Sequence, residues 1–112
     1  MSVGPSAIAP GDEAELVAAV ADAAARTTPL AVAGGGTRAG LGRPMQTAAT
    51  LSAANLTGIT LYEPAELVIS ARAGTPLAEI EAELAGNSQR LGFEPIDYRG
   101  LFGSTGTPTI GA

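Results

Sequence analysis

Apolar positions along this chain fall into short runs divided by glycine- and proline-rich stretches. Residues 1–10 carry Gly4, Pro5 and Pro10 without periodicity and are expected to be an irregular lead-in. A helix pattern follows. Asp12 is suited to cap it, with Glu15 three residues on to complete a capping box. Leu16, Val20 and Ala24 recur at four-residue spacing beside Val17, and Pro29 marks the stop. Leu30-Ala31-Val32-Ala33 is apolar without alternation, which predicts a buried strand covered on both faces. Two weaker strands are predicted at Ala48–Leu51 and Gly58–Tyr62, with a turn at 52–56 between them. Glu66–Ala73, holding Leu67, Val68 and Ile69, has the strongest strand pattern. A second helix is expected to start with Thr75 as cap and Pro76 at its first position. Its inner face is Leu77, Ile80 and Leu84, and Gly86 is expected just past its end. A short strand is expected at Ser88–Leu91, and loops from Gly92 onward. The fold class implied is α/β (α+β): a small mixed sheet flanked by two helices.

Composition changes this picture in two ways. Of 112 residues 46% are apolar, but 23 of them are alanine and aromatics are only 4%. Alanine buries little area, so a thin core is expected. Six arginines, no lysine and eleven carboxylates leave a net charge of −5, a poor match for nucleic acid or an anionic membrane. Histidine and cysteine are absent, which excludes thiolate nucleophiles, histidine bases and Cys/His metal sites. No stretch has the length of a membrane span, and Met1–Pro5 has no signal-peptide character, so a cytoplasmic location is expected.

The chemistry concentrates at Gly34-Gly35-Gly36-Thr37-Arg38-Ala39-Gly40-Leu41-Gly42, where five of nine residues are glycine. Such a loop lets a ligand approach bare amides, and successive amides form anion-binding concavities. Thr37 adds a hydroxyl, and Arg38 and Arg43 add positive charge, so a phosphate or pyrophosphate is the expected ligand. Known phosphate loops fit poorly. A Walker A loop and a kinase loop both need a lysine. The dinucleotide fingerprint is matched formally by Gly34, Gly36 and Ala39, yet Gly40, Gly42 and Pro44 forbid the helix that must follow. A loop binding pyrophosphate through its own amides remains.

Residues 29–38 resemble the FAD-pyrophosphate loop of the vanillyl-alcohol oxidase / p-cresol methylhydroxylase flavoprotein superfamily. Leu61–Val68, Ala71–Ile80 and Leu91–Pro95 narrow the resemblance to the FAD-binding E subunits of bacterial glycolate oxidases. The resemblance implies residues 11–100 as a first FAD-binding subdomain. It implies residues 101–112 as the start of a second flavin-contacting segment, where Ala112 departs from the usual Thr-Ile/Leu-Gly-Gly. It implies FAD contacts from Gly34, Gly35, Gly36, Thr37, Arg38, Gly40 and Leu41, and from Thr107, Thr109 and Gly111. Residues 103–111 would donate amides in the complete protein. Here the family continues into a helix and this chain stops, so a truncated piece with a loose tail is expected. With neither histidine nor cysteine available and nothing marking Tyr62 or Tyr98, noncovalent FAD is expected. The resemblance further implies a flavin-dependent oxidoreductase acting on a small 2-hydroxy acid, with other subunits of an oxidase complex as partners. No catalytic residue is assigned.

Other residues point to packing or solvent. Phe93, Glu94 and Pro95 resemble the family's stretch leading toward the cofactor cleft, and Phe93 reads as core. Asp97, Tyr98 and Arg99 read as a solvated trio, and Glu79 and Glu83 as an acidic outer helix face. Leu16, Val20, Val68, Ile69, Leu77, Ile80 and Leu84 read as packing. The alternative to a flavin site is a non-catalytic scaffold or subunit-docking module whose glycine loop is vestigial.

Overall fold

A computed structural model describes residues 6–111. Its first layer is a parallel sheet of three strands in the order β1-β3-β2: β1 at Ser6–Ile8, β2 at Leu30–Ala33 and β3 at Ala49–Ser52. Helix α1, Glu13–Ala25, connects β1 to β2. Its capping box forms: the Asp12 carboxylate accepts the Glu15 N–H at 2.8 Å, and the Glu15 carboxylate accepts the Gly11 N–H at 2.8 Å. Parallel neighbours need a long crossover to return the chain to the same end. Between β2 and β3, residues 34–48 make it without any helix, and the glycine loop is its first part.

The second unit is an antiparallel hairpin, β4 at Ile59–Glu63 and β5 at Val68–Ala71, closed by a 3₁₀ turn over Pro64–Glu66. Helix α2, Leu77–Ala85, and a short α3, Arg99–Phe102, complete the described elements. The strands thus divide between a parallel and an antiparallel sheet, instead of joining in one mixed sheet.

The core is thin, as its alanine content implies. Its buried apolar side chains are Ala23, Ala49, Leu51, Leu56, Ile80 and Leu84. The radius of gyration is 16.0 Å, against about 13 Å for a compact domain near this size.

Several local expectations are corrected. Part of the lead-in is strand, because Ser6–Ile8 pairs with Ala49–Leu51; residues 1–5 lie outside the described region. β2 is an edge strand, so Val32 is 72% exposed and not covered. Glu66 belongs to the turn and Leu67 takes a left-handed backbone, which shortens the predicted 66–73 strand to 68–71. Pro76, not Thr75, caps α2, because the Thr75 hydroxyl is engaged by Gly58. Gly86 is right-handed, and the left-handed residue after α2 is Ser88. No strand forms at 88–91. Val20 and Val68 are too exposed to count as core, whereas Ile80 and Leu84 are buried as expected.

Candidate functional site

The glycine loop leaves β2 at its carboxyl end, the end at which open parallel sheets present ligand sites. The backbone N–H groups of Gly34, Gly35, Gly36, Thr37 and Arg38 donate to no other described residue. They are neither in the β2–β3 ladder nor in the local turn, whose hydrogen bond runs from the Leu41 N–H to the Arg38 carbonyl at 3.0 Å. Val32, Ala33, Gly34, Gly36, Arg38 and Ala39 line a hollow of about 160 Å³. Gly36 has φ +75°, and a side chain there would project into open space. Unpartnered amides beside a hollow can receive an anion.

One wall of the loop is closed by the chain's last segment. A Cβ on Gly35 would collide with the Thr107 carbonyl, and a Cβ on Gly106 would collide with the Gly35 carbonyl. The two backbones therefore lie directly against each other. The Ser104 hydroxyl reaches the Thr37 carbonyl at 3.5 Å, and Thr37 itself is buried. Gly40 packs on Phe102, whose Cδ1 would stand 2.9 Å from a Cβ at that position. Leu41 is exposed, with its amide already engaged.

Residues 107–111 are not a loose tail. The Leu77 N–H donates to the Pro108 carbonyl at 3.0 Å, Ile110 N–H to Thr75 at 3.0 Å, and Gly111 N–H to Ala73 at 2.8 Å. Pro76 and Thr109 pair as an antiparallel bridge, and Thr109 is buried. The Gly111 amide is thus committed within the fold, which corrects its expected role as a donor to a ligand. Thr107 stands beside Gly35, whereas Thr109 and Gly111 run along the turn before α2.

The trio at 97–99 is not simply solvated. The Arg99 guanidinium pairs with the Asp97 carboxylate at 2.8 Å, and the Arg99 N–H donates to it at 3.0 Å. The Arg99 side chain first, and its N–H second, hold the Asp97 carboxyl at about 2, well below the usual range. Tyr98 stacks on Phe102 with ring centroids 5.6 Å apart, and the Arg38 Cζ lies over the Tyr98 ring, 5.2 Å from its centroid. Arg38 also donates to the Ile96 carbonyl at 3.3 Å. The glycine and basic positions pointed to the loop; nothing in sequence spacing pointed to Tyr98. Phe93, expected in the core, is 60% exposed, while Glu79 and Glu83 face solvent as expected. Tyr62 is engaged by Gln89, which in turn donates to the Pro64 carbonyl at 2.9 Å. Among the described residues no acidic cluster could hold a metal ion, and no helix is long and apolar enough to cross a membrane.

A small α/β layer whose one parallel edge runs into an amide-rich glycine loop is the frame of a cofactor-binding domain. The family model of the FAD binding domain matches residues 5–112; the chain belongs to that family, and FAD is its cofactor. Over 71 residues, 63% of this chain, it is 49% identical to the glycolate oxidase subunit GlcE of Escherichia coli (strain K12). The matched stretch amounts to 20% of that protein. No solved structure matches the chain.

Proposed function

We propose that this chain is the FAD-binding part of a flavin-dependent oxidoreductase subunit of the glycolate oxidase type. Its glycine loop holds the FAD diphosphate without a covalent bond. The parent protein acts on a small 2-hydroxy acid, together with other subunits of an oxidase complex. One observation carries this reading: in a chain of the FAD binding domain family, five successive amides at 34–38 have no partner among the described residues. Gly34, Gly35, Thr37 and Arg38 are buried or half-buried, where amides are ordinarily paired, so a run without partners is suited to an external acceptor. The diphosphate offers such acceptors, and the neighbouring guanidinium of Arg38 complements its charge.

The protein's part is binding and orientation. Gly34 and Gly36 border the hollow and Arg38 sets its charge. Thr107 backs the loop through Gly35, and Thr109 anchors the segment that carries Thr107 to the start of α2. Gly40 and Leu41 continue the wall along the nucleotide. When bound, FAD supplies the hydride-accepting chemistry. The identity to GlcE supports the substrate class and the partner subunits.

The test is Gly36→Asp. Aspartate tolerates a left-handed backbone better than most residues, and its side chain enters open space. It sets a carboxylate against the diphosphate, and FAD affinity measured by fluorescence titration is expected to fall at least about tenfold. Far-UV circular dichroism is expected to stay unchanged. Undiminished FAD binding by this variant overturns the loop assignment, and an unsubstituted chain that ignores FAD favours the scaffold reading. Gly35→Asp is a poorer probe, because any side chain at 35 displaces Thr107.

A further inference from the structure

We propose that Tyr98 is a positioning residue for the ligand of the glycine loop: it holds the Arg38 guanidinium beside the hollow. This rests on the reading of the loop as a diphosphate site. The Arg38 Cζ lies 5.2 Å from the Tyr98 ring centroid, within cation–π range. Such a contact restrains the guanidinium through the ring face and uses none of its N–H donors in a conventional hydrogen bond. Of five N–H donors, the contact to the Ile96 carbonyl at 3.3 Å takes one.

Two further observations give this arrangement a purpose. Arg38 is half-buried and forms no ion pair among the described residues, so its charge is held but not neutralised. The nearest carboxylate in sequence to Tyr98, that of Asp97, is taken by Arg99 at 2.8 Å. Tyr98 is itself braced. It stacks on Phe102 at 5.6 Å with 18° between the ring planes, and the Phe102 ring abuts Gly40. The aromatic pair therefore grips the loop at both Arg38 and Gly40. Arg38 lines the hollow of the loop and also a second cavity of about 340 Å³ bordered by Pro95, Ile96 and Thr109. An arginine already fixed at such a border loses less rotamer freedom on meeting an anion than a free one.

The experiment uses the full 112-residue chain and titrates it with ADP, which carries the diphosphate, and with riboflavin, which carries no phosphate. Tyr98→Leu and Arg38→Gln are each expected to weaken ADP binding about fivefold. The double variant is expected to be no weaker than Arg38→Gln alone, because both act through one guanidinium. Tyr98→Phe keeps the ring and is expected to bind ADP as the parent does. Riboflavin affinity is expected to be unmoved throughout. If Tyr98→Leu does not fold, phenylalanine analogues of increasing fluorination at 98 keep the shape while weakening the ring face, and a graded loss of ADP affinity is expected. Equal losses from Tyr98→Leu with and without Arg38, or no loss along the fluorinated series, overturn the proposal while leaving the loop reading intact. An unsubstituted chain that does not bind ADP overturns both.

Discussion

The hairpin unit and the parallel layer treat their backbones in opposite ways. Around the hairpin, the polar groups close on one another. The Thr75 hydroxyl, fully buried, accepts the Gly58 N–H at 3.0 Å and donates to the Gly58 carbonyl at 3.2 Å. Gly74 N–H reaches Leu56, Arg72 N–H reaches Gly58, and residues 108–111 bond back to the start of α2. At the end of β2, by contrast, a run of amides has no partner among the described residues. Glycine flanks the hairpin at Gly58 and Gly74 and fills five of the nine positions at 34–42. What separates them is whether the chain supplies its own acceptors, and the region without them keeps its donors open to an external acceptor.

Substitutions in the closed unit are expected to register as stability, and those in the loop as affinity. Ile80, on the buried face of α2, is 2% exposed, and Ile80→Ala is expected to cost about 2–5 kcal/mol in equilibrium denaturation. Thr75→Val keeps the shape but leaves the Gly58 N–H without its acceptor; a loss of about 1–3 kcal/mol is expected by the same measurement. An unchanged midpoint would show that the hairpin unit is less tightly closed than its hydrogen bonds imply. On the parallel side, Asp12→Ala removes the cap of α1 and is expected to lower stability by about 1 kcal/mol, seen as a reduced thermal midpoint. The smallest effect is at Asp97. Its folded pKa lies below the ordinary 3.8, so its stabilisation of the 97–99 turn is complete above about pH 4 and fades as pH falls toward 2. An NMR titration of its side-chain carboxyl is expected to show a midpoint near 2; a midpoint at the ordinary value would mean the Arg99 pairing does not persist in solution.

What the sequence made legible is what local rules govern. Helix α1 declares its start because Asp12 and Glu15 cap within one turn. The glycine loop declares itself because no regular element accommodates five glycines in nine residues. Long-range partners escaped. β1 is three residues long and exists only through β3, some forty residues later. Val32 reads as buried by its apolar neighbours, yet lies on an edge strand, and strand order is not written in a run of four residues. Thr75 and Pro76 look like a cap and a first helical residue; the cap role went elsewhere because Gly58, seventeen positions away, engages the hydroxyl. Tyr98 reads as one of a solvated trio because its significance lies in Arg38, and α3 is not legible because four residues around Gly100 carry no helical period.

The mutual approach of Gly35 and Gly106 has a consequence for how this chain can vary. Each is held to hydrogen as its side chain by the carbonyl of the other strand of loop, so neither position is free to drift by itself. A larger residue on one side can be absorbed only by a backbone that has already moved away on the other. Random libraries aimed at the loop will therefore report on the distant segment as well, and the two stretches are best diversified as a single unit.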